Sequence, residues 1–372
     1  MGSSIRITSL IFCFLLVPAL AFSGVTNESD KGPEQPQLQL LQKALDNYLE
    51  IQQNGGWTKI IATKKHLQKG VTDPAVVQVK KRLKASGDFT EEDLSPLFDE
   101  ALAAAVKKVQ KRFGFAENGV VDGQLIKVLN VPVEERIRQL EVNLQRLQNS
   151  LPVSNTIQLV ANIPEFTLHV YENGAHVFDM KIVVGSESNK TVIFNDEMTH
   201  IVFSPYWNVP QSIVKNEIVP AMRRNRNYLR RNGYEVLGQE NGLPVIRQKP
   251  GPGNSLGQVK FVFPNNHAIY FHDTPAKGLF QLPRRAFSHG CIRLAEPAKL
   301  AQYLLRNQPE WTPEKIKTAM NSGKEQAVKL QEPVAVSLTY FTAWVDAEGL
   351  VHFREDVYGY DKLEANKLAR NK

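Results

Sequence analysis

The sequence predicts an α+β chain of several domains, with a mostly helical N-terminal part and a mainly β C-terminal part. Two observations predict it. Apolar residues recur at helical spacing as far as about Ser154, and beyond that point the period switches to alternation. A third observation, one cysteine in the run "SHGC" at 288–291, predicts where the chemistry lies. The chain has 372 residues, more than one usual domain and enough to bury a substantial core without disulfide staples.

Residues 1–21 read as a secretory signal peptide. Arg6 supplies the basic start, "ITSLIFCFLLVPALA" the apolar run, and Ala19-Leu20-Ala21 the small-residue cleavage pattern. The run is short for a bilayer span of roughly 20 residues. Cys13 lies inside it and is expected to leave with it. The formal net charge of +7 favours an acidic partner; for an exported chain that means wall polymers or anionic surfaces, with no nucleic acid.

A linker rich in Pro, Gly and Gln is expected at 22–36, then a helical scaffold at 37–65. There Leu38, Leu41, Leu45 and Tyr48 recur at helical spacing and "NGGW" ends the run. A second helical domain is expected at 66–131. Asp73 reads as an N-cap, Pro74 as the first helical residue, and Val76, Val79 and Leu83 as a buried stripe. "FDEALAAAVKKVQKRFG" places Phe98, Leu102, Val106, Val109 and Phe113 on one face, and "VDGQLIKVLN" follows as a short helix. Ile137, Leu140, Leu144 and Leu147 mark a connecting helix at 132–155.

The β region is expected at 156–332. "TLHVYENGAHVFDMKIVVG" is two strand-like runs around an Asn173-Gly174 turn, and "HIVFSPYW", "QVKFVF" and "HAIYFH" are further strands. An insertion at about 207–256 holds the basic run "RRNRNYLRR"; a structureless loop of that length would be unusual, so a lid or small subdomain is expected. "LAEPAKLAQYLLRNQ" and "TPEKIKTAMNSG" read as helices. Residues 333–372 are expected as C-terminal strands and a tail, with a turn at Asp346–Gly349.

With Cys13 removed, Cys291 has no partner for an internal disulfide, which leaves a buried bystander or a reactive thiol. A free thiol of pKa ~8.5 is only a few per cent thiolate at neutral pH, so a nucleophile needs a base. His272 ends "HAIYFH" on the same face as Tyr270; it is either that base or a strand-end histidine bonded to structure. Gly290 permits a tight backbone that could turn the Cys291 N–H toward an oxyanion, while His289 could supply a second donor or orient the loop. Such a pair describes acyl transfer through a thioester. His272, Asp273, His289 and Cys291 are also metal-ligand types, but the chain has no C-x-x-C and no H-E-x-x-H, so no metal is expected.

"HDTPAKGLFQLPRRAFSHGCIRL" resembles the signature of YkuD-type L,D-transpeptidases, a His followed some fifteen residues later by Ser/Thr-His-Gly-Cys; here fifteen residues separate His272 from Ser288. "NIPEFTLHVYENG", "FSPYWNVPQSI" and "YFTAWVDAEGLVHF" look like the large YcbB-like branch, and "LQKGVTDPAVVQVKKRL" is similar to its peptidoglycan-binding-like helical domain. The resemblance implies a mainly β YkuD-type catalytic domain with a capping insertion, preceded by that helical domain. It implies a periplasmic enzyme with Cys291 as nucleophile, His272 as general base, and His289 and Gly290 shaping the oxyanion loop. Trp207 and Tyr270 become cleft walls, with Ser288 and Arg293 as further substrate-binding candidates; many of these enzymes have Asn at the Arg293 position. In the implied reaction a donor tetrapeptide stem loses its terminal D-Ala and is passed to the diamino-acid amine of another stem, a 3→3 cross-link. The implied partners are stem peptides and glycan, with cell-wall synthases as candidates; a monomer without metal or organic cofactor is expected. Release to water (an L,D-carboxypeptidase), lipoprotein attachment and a non-catalytic wall-binding protein are the alternatives.

Overall fold

The computed structural model describes residues 34–149 and 156–370; the expected signal peptide at 1–21 lies outside them. Helix α1 (Glu34–Gln53) begins inside the segment expected as linker and stops at Gly55 and Gly56, whose φ values of 93° and 67° end a helix cheaply. A short strand β1 (His66–Leu67) precedes α2 (Pro74–Ala85), where the Asp73 carboxylate accepts the Ala75 N–H at 2.9 Å. Asp99 caps α3 (Glu100–Arg112) in the same way. Strand β2 (Val121–Asp122) pairs with β1, and α4 (Gly123–Leu129) and α5 (Val133–Gln148) complete the unit. The expected stripe is the core: Val76, Val79, Leu83, Phe98, Leu102 and Val109 are fully buried.

The β region opens with β3 (Ile157–Asn162), β4 (Thr167–Glu172), β5 (Ala175–Gly185) and β6 (Phe194–Phe203). Asn173 and Gly174 join β4 to β5 with φ values of 51° and 77°, the pair of positive values a two-residue hairpin turn needs. The insertion has its own elements. They are β7 (Trp207–Asn208), α6 (Gln211–Ile213), a π-helical turn (Val214–Ile218), α7 (Val219–Arg224), α8 (Tyr228–Arg231), β8 (Tyr234–Glu240) and β9 (Leu243–Gln248). Val209, Ile213, Val214, Ile218 and Ile246 form a small core of its own.

The chain then returns through β10 (Val259–Val262), β11 (Phe271–His272), β12 (Ala286–Ser288), β13 (Ile292–Leu294), α9 (Pro297–Leu304), α10 (Pro313–Asn321) and β14 (Gln326–Thr339). The strand order is β12-β5-β13-β11-β10-β6-β14-β3-β4, and β4 also pairs with β5, so the sheet closes on itself with β12 as a branch. Closure removes the edges that would otherwise expose unpaired backbone. Leu159, Leu168, Ile182, Ile201, Phe203, Phe261 and Phe271 fill its inside, with Leu300, Ala301 and Ile316 from α9 and α10.

Two expectations are corrected. The boundary at 332/333 falls inside β14, which lies between β6 and β3 and belongs to the large sheet. The residues after it are not a separate tail. Strands β15 (Ala343–Val345) and β16 (Val351–Phe353) place Ala343, Val345, Val351 and Phe353 in the core of the helical unit. Helix α11 (Tyr360–Arg370) joins them there, with Asp361 and Glu364 held by Arg146 of α5. Apolar residues of a short hairpin need a cover, and the helices supply it. The sequence of a two-stranded hairpin cannot say which neighbour that will be.

Candidate active site

The site follows from strand register. In β11 and β13, which run parallel, Phe271 faces Ile292 and His272 faces Arg293. In β10 and β11, Lys260 faces His272. Phe261, Phe271 and Ile292 are fully buried in the core. Alternation then puts Lys260, Tyr270, His272, Cys291 and Arg293 together on the opposite face. The sequence expectation that Tyr270 and His272 share a face holds, with ring centroids 5.7 Å apart. The paired strand is shorter than "HAIYFH" suggests, Phe271–His272 alone.

The turn that carries Cys291 is fastened from beneath. Ser288 Oγ, almost fully buried, donates to the Cys291 carbonyl at 2.5 Å and accepts the Gly290 N–H at 3.1 Å. Gly290 has φ +115°, a region that L side chains rarely adopt. Its carbonyl accepts from Thr191 Oγ1 at 2.8 Å, and that same oxygen accepts the Gly185 N–H at 2.9 Å. The Tyr358 hydroxyl closes the set, accepting from Thr191 N–H and donating to the Gly185 carbonyl. No hydrogen bond from the Cys291 N–H is found among the described residues.

His272 is buried, and its Nδ1 contacts the Asp273 carbonyl at 2.5 Å, which orients the ring. Burial, then the nearby Arg293 charge, lowers its pKa to about 3, so the imidazole is neutral at physiological pH. Burial pushes the Cys291 thiol up, partly opposed by hydrogen bonding with Tyr270 and by the Arg293 and Lys260 charges. The resting pair is therefore a thiol and a neutral imidazole. The thiol's own hydrogen bond goes to the Ala268 carbonyl at 3.5 Å rather than to His272. Ala268 sits at φ 54° in a turn that Asn265 ties to Phe263 and Ile269.

The other expected residues have definite places. Arg293 is half-buried, and its Nε is a buried donor with no partner among the described residues. Trp207 and Cys291 both interact with the Tyr270 hydroxyl, whose pKa burial raises far above its usual value. His289 points to the insertion instead of the thiol: its Nε2 lies 2.6 Å from the Glu217 carboxylate in the π-helical turn. Ser288 and the Gly290 N–H are engaged within the turn, which makes them supports of the loop. Asp273 accepts from the Gln258 N–H and Lys277, so it is not grouped with the thiol as a ligand. Sequence reading misses Thr191, Tyr358 and Lys260. Their only signal is topological, because Lys260 comes from β10, Thr191 from the loop between β5 and β6, and Tyr358 from the C-terminal region.

Residues 156–318 match the model of the "L,D-transpeptidase catalytic domain" family, and residues 72–129 match that of a "Putative peptidoglycan binding domain". A curated relative from Haemophilus influenzae, named "Putative L,D-transpeptidase", is 31% identical over 241 residues, covering 60% of this chain. The chain spans about half of that relative, 48% of its length. Among solved structures, an L,D-transpeptidase from Stackebrandtia nassauensis is 13% identical with a TM-score of 0.30, covering 75% of this chain and 97% of its own. L,D-transpeptidase 3 from Mycobacterium tuberculosis, with a faropenem-derived adduct, is 15% identical with a TM-score of 0.26, covering 49% and 60%. By sequence, the chain has a helical segment similar to peptidoglycan-binding domains, followed by a mainly β region similar to the YkuD-type L,D-transpeptidase catalytic domain.

Proposed function

We propose that this chain is a periplasmic L,D-transpeptidase that forms 3→3 cross-links in peptidoglycan through a thioester on Cys291. The observation that carries the proposal is the β11–β13 register, in which His272 faces Arg293 and Cys291 immediately precedes the paired Ile292. His272 takes the thiol proton as Sγ attacks the carbonyl carbon of the L-configured third residue of a donor stem. The Cys291 N–H meets the oxyanion that develops there, a contact worth ~10² to 10³ in rate. The C–N bond to the terminal D-Ala breaks, and the amine leaves with the proton held by His272. The side-chain amine of a second stem then attacks the thioester and restores the thiol. A neutral His272 and a thiol that burial keeps protonated support transfer of the proton during attack, with no standing thiolate. The unpaired Arg293 Nε supports a site for a stem carboxylate, a task that a guanidinium performs better than an ammonium.

Two measurements test this. Incubation with disaccharide-tetrapeptide should give a cross-linked dimer and free D-Ala by mass spectrometry, where hydrolysis alone would indicate the carboxypeptidase. Treatment with meropenem, which mimics the donor acyl group, should add one covalent adduct that maps to Cys291. The Cys291→Ala chain should take none, and His272→Ala should acylate far more slowly. Full-speed acylation without His272 would remove it as the base.

A further inference from the structure

A second cluster of reactive side chains sits on the β4–β5 hairpin, away from the thiol. In the register Asp179 faces His169 and Tyr171 faces His176, with a bulge between Val170 and Tyr171. In a regular strand His176 and Asp179, three residues apart, would point to opposite faces. The bulge re-aims His176 onto the face of Asp179. As a result Asp179 Oδ1 lies 2.7 Å from His169 Nδ1 and 2.7 Å from His176 Nε2. The three ligand atoms that these residues offer lie within 4.8 Å of one another.

We propose that His169, His176 and Asp179 form a binding site for a divalent transition-metal ion of the zinc type, with one position open to solvent. Two imidazoles and one carboxylate suit such ions, whereas calcium and magnesium favour oxygen-only sets. The second contact of His169 supports the assignment independently. Its Nε2 is held at 2.9 Å by Glu165, which is itself bonded by Asn162 and largely buried. A carboxylate behind a ligating imidazole fixes the ring and raises its basicity, the usual outer support of a metal-bound histidine. Bonds of about 2.0–2.2 Å place tetrahedral ligands about 3.3 Å apart, so both 2.7 Å contacts to Asp179 would open by about 0.6 Å. His176 is exposed beside a two-residue turn and has room for that shift. Asp179 lies six strand residues before Gly185, about 20 Å along β5.

A metal ion there would have to displace any proton that His169 shares with the Asp179 and Glu165 carboxylates. The test uses the full chain carrying Cys291→Ala and no affinity tag, so that neither the thiol nor added histidines bind metal. Competition of zinc against a chromophoric chelator should give one equivalent bound at micromolar or tighter affinity, and cobalt should give visible absorption bands. His176→Ala and Asp179→Asn, both at exposed positions, should each weaken zinc binding tenfold or more and remove the bands. No zinc retained at about 100 µM, or unchanged affinity in both variants, would overturn the proposal and leave an ion-pair cluster only.

Discussion

Replacing Thr191 by Val tests whether the catalytic turn is held from below. The two side chains have nearly the same shape, so the change opens no cavity. It removes the hydroxyl that donates to the Gly290 carbonyl at 2.8 Å and accepts the Gly185 N–H at 2.9 Å. Thr191, Gly185 and Gly290 are all buried, so both groups lose their partner away from water. Each buried unsatisfied group costs about 1–3 kcal/mol, for a total of about 2–5 kcal/mol. For a domain of this size that is a fall in Tm of about 5–15 °C by differential scanning calorimetry. Rearrangement of the loop cannot easily rescue it, because a Cβ at Gly185 would already meet Asn189 O at 2.1 Å and Thr191 N at 2.6 Å. Gly290 precedes Cys291, the proposed nucleophile, so meropenem acylation followed by intact mass should slow in parallel. Thr191→Ser keeps the hydroxyl and should recover most of both. Tyr358→Phe touches the same network, so the double variant should lose less than the sum of the singles. A Thr191→Val chain with unchanged Tm and an unchanged acylation rate would refute the argument.

Four further outcomes follow from the site. With His272 at about 3, the second-order acylation rate should have no acid limb between about pH 5 and pH 7, and a His272-dependent limb there would contradict its neutral state. The same depression links to stability: the unfolded imidazole, near 6.5, binds a proton that folded His272 refuses, so stability should fall as pH drops from about 6.5 toward 3, a loss that His272→Gln should reduce. Arg293→Lys should lower use of the tetrapeptide substrate with little change in Tm; a large fall in Tm would assign the guanidinium to the loop instead. Glu217→Gln breaks an exposed contact with His289 worth less than about 1 kcal/mol, so Tm should hold while muropeptide turnover drops if that contact sets the insertion over the cleft. Turnover equal to the parent's would remove the contact from the mechanism.

Much of the architecture was legible in the amino acids alone because it depends on local physics. The Asp73 cap, the Val76-Val79-Leu83 stripe and the Asn173-Gly174 hairpin are short-range matters of hydrogen bonding, periodicity and allowed φ. The lone thiol and its histidine were legible as residue types, since few side chains can perform that chemistry. Tertiary structure decided what depends on distant pairing. The parallel β11–β13 register brings His272, Arg293 and Cys291 to one face, and nothing local specifies which strands become neighbours. Burial of His272 turned it from a group of ordinary pKa into a neutral one. His289, next to the nucleophile in sequence, turned outward to Glu217 because the insertion offered a carboxylate there. Thr191 and Tyr358, far away in sequence, became the support of the catalytic turn. The hairpin at 343–353 left the sheet region altogether, since its apolar side chains find their cover among the helices of the N-terminal unit.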